Sequence, residues 1–184
     1  MASSSPRCAS AESTAAGAAL LLLVLAACSP VQGPRAVIED ARLRQRGAAL
    51  QLDVQQRLDF QPRMLEALSN GIALRLDYRI DYCAGRGHAV RSLWLRYFPL
   101  ASEFELRWQG ADSARRFARR GALLAALDRV RIELPADAVD CDLVLQLRLE
   151  RSALPAPLRF PALVGLQDWR LESAPFRLAP AQVR

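Results

Sequence analysis

Cysteine is the first residue type to weigh, because a thiol can take a lipid, a metal or a second thiol, and the chain carries four: Cys8, Cys28, Cys83 and Cys141. Cys28 closes the run Leu25-Ala26-Ala27-Cys28 at the end of an apolar stretch. That spacing resembles the bacterial lipobox, in which small residues let a peptidase grip the chain and the thiol receives a diacylglyceryl group. Cleavage after Ala26, leaving a soluble periplasmic protein, is the competing outcome. Either way Cys8 leaves with the leader and Cys28 is lipidated or lost, so Cys83 and Cys141 remain. Two cysteines in an oxidising compartment point to one disulfide, with a pair of unbonded buried thiols as the alternative. A metal centre is not expected, since His88 is the single histidine beside those two cysteines.

The other candidates are weaker. His88 would be a general base if a nucleophile or an orienting acid accompanied it, but no recognisable motif surrounds it, and the neighbouring Gly85 and Gly87 suit the positive φ angles of a turn. Asp77 and Asp81 alternate with Arg75 and Arg79, the pattern of a surface ladder of opposite charges rather than of an acid–base pair. The densest charge run is Arg115-Arg116-Phe117-Ala118-Arg119-Arg120. Guanidinium groups grip phosphate bidentately, so Arg115, Arg116, Arg119 and Arg120 are candidates for contact with anionic headgroups or lipopolysaccharide. A solvated N-terminal region of a helix is the plainer explanation. Tyr78, Tyr82, Trp94, Tyr97 and Trp108 read mostly as core packing, although a rim position would suit a partner interface. No residue set is assigned catalysis, and no cofactor is expected.

A scaffold of modest size must hold these residues, since 184 residues are expected to form one domain. Hydrophobic residues make up 52% and charged residues 24%, which excludes disorder, collagen or a coiled coil as a description of the whole chain. The net charge is +6, yet all 25 basic residues are Arg, and Asn70 and His88 are the single Asn and His, a skew typical of GC-rich coding. Charge therefore argues little for nucleic acid, which an exported protein does not meet. Residues 1–27 read as a signal peptide of the lipoprotein type. Arg7 supplies the basic region and Ala15 to Ala27 the apolar one, whose 13 residues fall short of the roughly 20 that span a bilayer. Ser29 rather than Asp follows Cys28, which favours the outer membrane. Residues 28–35, with Pro30, Gly33 and Pro34, form a tether to a domain over 36–184.

Val37 to Arg44 and Ala49 to Leu58 alternate apolar and polar residues around a turn at Arg46-Gly47, a hairpin with one wet face. Gln61 to Ser69 shifts to helical spacing, with Pro62 in its first turn and Gly71 at its C-terminal cap. Ile72 to Tyr82 is the clearest strand. A turn over 83–88 leads to strands at Ala89 to Tyr97 and Glu103 to Gln109, then a helical pattern over Arg115 to Leu127. Strands follow at Val130 to Leu134, at Cys141 to Arg151 and near Trp169 to Leu178. Pro155, Pro157 and Pro161 predict a loop over Ser152 to Leu166. Short turns between consecutive strands make the pairing antiparallel. The expected fold is thus α+β, with about seven to eight mainly antiparallel strands in a sandwich-like arrangement and two short helices. Strand-strand-helix-strand occurs twice, over 36–82 and 89–134, which hints at an internal repeat.

The stretch Met64-Leu65-Glu66-Ala67-Leu68-Ser69-Asn70-Gly71-Ile72-Ala73-Leu74, the Leu95-Arg96-Tyr97 followed by Leu100, and Asp168-Trp169-Arg170-Leu171 resemble an exported proteobacterial family. It is known only as a domain of unknown function, number four-three-nine-zero. The resemblance brings no activity, cofactor or catalytic residue. It implies a role linked to envelope signalling, because members are often encoded beside a membrane sensor kinase similar to the nitrogen-regulation kinase. The lipobox departs from the family's usual pattern. The expectation is a non-enzymatic envelope protein that binds an envelope protein partner and meets the membrane through its lipid. A binder or carrier of an amphipathic ligand such as a lipid, held between the sheet and its helices, is the alternative.

Overall fold

The alternation of Leu74, Leu76, Tyr78, Ile80 and Tyr82 with Arg75, Asp77, Arg79 and Asp81 gives one strand face that only a core can satisfy. The computed structural model builds that core between two antiparallel sheets. It describes residues 35–46, 49–138, 140–163 and 169–179, so the leader, Cys28 and the turn residue Gly47 lie outside the described residues. The smaller sheet has the order β1 (Ala36–Arg46), β2 (Ala49–Leu58), β7 (Arg129–Leu134). The larger has the order β6 (Arg115–Phe117), β5 (Glu103–Trp108), β4 (Gly87–Phe98), β3 (Leu74–Tyr82), β8 (Leu143–Leu149), β9 (Phe176–Leu178). Three short helices accompany them, α1 (Pro62–Ser69), α2 (Arg120–Leu127) and α3 (Ala156–Leu163). The fold is therefore an α+β sandwich, and among the described residues no helix is long and apolar enough to cross a membrane.

Register explains the core. Leu52 stands between Leu43 and Ile132 in the smaller sheet, and Leu76 between Leu93 and Leu149 in the larger. All six are buried, and each such side chain contributes about 1.5–3 kcal/mol. A bulge between Ile38 and Asp40 shifts the phase of β1, so that Ile38, Ala41 and Leu43 all point inward despite the odd spacing from 38 to 41. Gln56, 2% exposed, is one of the buried polar residues, with Asp77, Ser92, Glu105 and Ser173. Its Nε2 donates to the Tyr78 hydroxyl at 2.7 Å and to the Leu127 carbonyl at 2.8 Å, tying both sheets to α2.

Helix α1 ends as its sequence requires. Gly71 takes φ +81°, and the Ile72 and Gly71 amides donate back to Ala67 and Leu68, a Schellman closure. Two expectations change. Arg115–Phe117 is an edge strand, with Phe117 opposite Phe104, so α2 starts only at Arg120, after Arg119 in extended conformation. The segment expected as a loop contains the 3₁₀ turn Arg151–Ala153 and helix α3. Pro155 and Pro157 sit at the start of α3, where backbone donors lack helical partners anyway, so they permit the helix they were expected to forbid.

The first strand-strand-helix-strand unit is present, but β6 enters the second between β5 and α2, and the two units are not stacked copies. The first places its hairpin, β1–β2, in the smaller sheet and its last strand, β3, in the larger. The second places β4–β5 in the larger sheet and β7 in the smaller. In each unit a helix carries the chain across.

Candidate functional site

The outer face of the larger sheet gathers the densest set of polar and aromatic side chains. Antiparallel register sets Asp77 between Ser92 and Arg148, and Arg75 beside Trp94. Asp77 is buried. It accepts two hydrogen bonds from the Arg75 guanidinium, both 2.9 Å, and one from the Ser92 hydroxyl at 2.8 Å. Glu150 accepts from Arg148 at 2.8 Å and from the Ser152 hydroxyl at 2.6 Å, and its carboxylate lies 4.0 Å from Arg75. The guanidinium carbons of Arg75 and Arg96 lie 5.8 and 5.4 Å from the Trp94 ring centre, within cation–π range. Val90 and Arg107 on the same face are exposed.

Electrostatics follow from these contacts. The hydrogen bond to Asp77 raises the Arg75 guanidinium against the opposing effect of burial. Burial alone would raise the Glu150 carboxyl, but hydrogen bonds from the Ser152 hydroxyl and amide, with Arg148 and Arg75, hold it below the ordinary carboxylate value. The expectation of a surface ladder is corrected for Asp77, which is interior because Arg75 and Ser92 take up its lone pairs. The network lay hidden in the sequence because Ser92, Arg148 and Glu150 become its neighbours only through strand register. The turn expected over 83–88 would pair 77 with 94; the observed turn over 83–86, with β4 starting at Gly87, pairs it with 92.

The far end of β3 holds the cysteines. Cys83 and Cys141 form a disulfide with 4.7 Å between Cα atoms, joining the ends of the neighbouring antiparallel strands β3 and β8 as expected. Cys83 and Ala84 both adopt positive φ, 54° and 57°, and the Asp142 side chain secures this turn through the Ala84 amide at 3.0 Å. Gly87 is glycine for space rather than φ. A Cβ there would fall 2.0 Å from the Tyr82 ring, which lies across it from the opposite strand. His88 does have an acidic companion: its Nδ1 stands 2.6 Å from Asp81, its register partner. Both side chains are more than half exposed, so the pair is a solvated contact. Among the described residues no three His, Cys, Asp or Glu side chains are grouped to hold a metal ion.

The four arginines of the basic run diverge. Arg115 stacks over Phe117 at 5.2 Å and lines an open cleft of about 580 Å³. Gln56, Arg57, Asp128 and Arg129 also line that cleft. Gln56 Oε1 is buried without a hydrogen-bond partner among the described residues. Arg116 pairs with Glu103 at 3.4 Å, Arg119 is exposed, and Arg120 reaches the Ser69 hydroxyl at 3.4 Å. Of the aromatic group, Tyr78 is wholly buried, and burial pushes its phenol up, an effect the Gln56 hydrogen bond only partly offsets. Tyr82 is buried too, whereas Trp94, Tyr97 and Trp108 are partly exposed.

These features define a class: a disulfide-stapled antiparallel α+β sandwich whose larger sheet presents arginine and tryptophan on a buried charge network. The chain belongs to the family described as a domain of unknown function (DUF4390), whose model matches residues 33–179. No curated protein and no solved structure matches it.

Proposed function

We propose that the protein is a non-enzymatic interaction module on the periplasmic side of the cell envelope, held to the outer membrane by lipid on Cys28, and that the outer face of its larger sheet binds an envelope protein. The link to a membrane sensor kinase, implied by the family resemblance, names the first partner to test. One observation carries the reading: Trp94 has the guanidinium groups of both Arg75 and Arg96 within cation–π range, on a sheet face fixed by the Asp77 and Glu150 networks. Tryptophan and arginine are the residue types that dominate binding energy at protein interfaces, and a rigid platform lowers the entropy cost of using them. The carboxylates of the network are spent on arginine and serine partners, so they serve to position that face.

A photo-crosslinking residue at exposed Val90 or Arg107 tests this in living cells. We expect it to capture a specific envelope protein, and Trp94→Ala to weaken that capture at least about tenfold, the scale of a binding hot spot. The same crosslinker at Arg42, on the outer face of the smaller sheet, should capture nothing specific. Equal capture from both sheets, or no specific envelope protein from Val90 and Arg107, would overturn the proposal.

A further inference from the structure

We propose that the β4–β5 hairpin tip docks the domain on the anionic bilayer surface that carries its own lipid anchor, with Phe98 and Leu100 entering the apolar boundary and Arg116, Arg119 and Arg120 meeting lipid phosphates. The inference rests on the lipid-anchored reading and adds to it a second point of membrane contact.

The tip is Phe98-Pro99-Leu100-Ala101. Leu100 is 106% exposed and Phe98 42%, two of the large apolar residues that the fold leaves in water. Nothing in the core requires apolar residues there. The tip is also firmly rooted: the Tyr97 and Phe104 rings pack 4.5 Å apart at its base, and Pro99 lies 3.8 Å from where a Cβ on Gly71 would stand. An exposed apolar apex on a fixed root suits insertion into a soft apolar phase.

The flanks are basic. Arg116 pairs with Glu103 on the strand that leaves the tip. Arg120 reaches Ser69, two residues before the Gly71 that abuts Pro99, so it stands beside the same root. Arg119 lies between them in sequence; its carbonyl accepts from the Ala122 and Leu123 amides, while its exposed side chain forms no ion pair among the described residues. Arg116, Arg119 and Arg120 stand against Glu103 and the buried Glu105, the latter lying opposite both Arg116 and Arg96 in register, so a modest excess of positive charge surrounds an apolar point. That combination matches an anionic lipid interface, where each surface cation gains about fivefold in partition. Arg115 is not part of this collar, since it lines the cleft.

The tether makes a bilayer the fitting occupant. The Arg35 carbonyl accepts from the Asp59 amide, and from Asp59 the chain runs through α1 to Gly71 at the root of the tip. Helix α1 spans about 12 Å and its five flanking steps add up to about 18 Å, so Arg35 lies within about 30 Å of that root. The seven residues Ser29 to Arg35 reach at most about 25 Å when extended. A lipid on Cys28 would confine the domain to within a short tether of one bilayer surface.

The test uses the full-length protein as the cell matures it, carrying Leu100→Cys labelled with an environment-sensitive fluorophore, in vesicles of phosphatidylethanolamine and phosphatidylglycerol. The expected result is a blue-shifted emission quenched by lipid-borne quenchers. In pure phosphatidylcholine vesicles, and in the Arg116→Gln, Arg119→Gln, Arg120→Gln triple variant, the docked fraction should fall at least about tenfold. Phe98→Ser with Leu100→Ser, read by cosedimentation of Cys28→Ala protein, should lower vesicle binding by a similar factor. These exposed substitutions should leave the melting temperature unchanged. Wild-type protein that rides on vesicles with a water-like probe would overturn docking and leave the anchor standing. Loss of the anchor with docking retained would show as Cys28-independent binding to anionic vesicles. A blue shift that needs a second envelope protein would assign the tip to a protein partner and also overturn the proposal.

Discussion

Asp77→Ala is the sharpest probe of the charge network beneath Trp94. The Asp77 side chain is 4% exposed and accepts three hydrogen bonds, two of them from Arg75, which is 27% exposed. Removing the carboxylate leaves a half-buried guanidinium and a buried hydroxyl without their partner. Breaking a buried pair on one side costs about 3–5 kcal/mol. Arg75 retains some contact with water and with Glu150 at 4.0 Å, which places the expected loss at the lower end, about 3 kcal/mol. Asp77→Asn keeps an acceptor for Arg75 and should cost about half as much. Urea titration followed by tryptophan fluorescence, with the disulfide intact, measures both. With a slope near 2 kcal/mol per molar, the Asp77→Ala midpoint should fall by about 1.5 M. Adding Arg75→Met to Asp77→Ala should recover part of the loss, because the orphaned charge is then gone. A loss below about 1 kcal/mol for Asp77→Ala, the scale of a surface ion pair, would refute the reasoning.

Reduction of Cys83–Cys141, which closes a span of 58 residues, should destabilise the domain by about 4 kcal/mol without abolishing the fold at room temperature, as read by urea unfolding with and without reductant; two free thiols in unreduced, unfolded protein would sink the pairing. Cys28→Ala should move the protein from the membrane fraction to the soluble one, and unchanged membrane association without fatty-acid labelling would contradict lipidation. Glu150 sits below its unfolded value, so its contribution is present above about pH 4.3 and is lost as pH falls through the folded value, a loss that Glu150→Gln should flatten in acid titrations. Tyr78 is raised above its unfolded value near 10, so its contribution is complete below that pH and declines as pH climbs beyond it, with tyrosinate absorbance appearing together with unfolding. Changing Arg115, Arg116, Arg119 and Arg120 together to Gln should lower the melting temperature only slightly, because all four side chains are exposed.

What the sequence made legible was whatever depends on local period. Leu74 to Tyr82 announces a half-buried strand because a slip of one residue would expose five large apolar side chains. Gly71 announces a helix end because only glycine takes φ +81° without strain. Cys83 and Cys141 could be paired because both border strongly alternating runs. What stayed hidden depends on partners far along the chain. Phe117 becomes strand only because Phe104 lies opposite it, and an Arg-rich prelude to a helical pattern gives no sign of that. Asp77 looks like any outward carboxylate until Ser92 is placed beside it. Proline at the start of α3 is ambiguous in sequence, because the same residue that ends a ladder also begins a helix.

Chain order also bears on when the candidate binding face can exist. Its rows run across β4, β3 and β8, with Asp77 opposite both Ser92 and Arg148. The first pairing closes a hairpin, but the second must wait for the chain to cross to the smaller sheet as β7 and return. Pairings this distant in sequence are slow to form, because loop-closure entropy is lost before the contacts repay it. The disulfide sits at that return, bonding Cys83 at the end of β3 to Cys141 just before β8. Under the proposed export, the thiols meet an oxidising compartment before this late pairing is complete, so oxidation can trap β8 against β3. The network around Asp77 and Glu150 then closes over a strand pair that is already covalently held, and the platform beneath Trp94 is completed last.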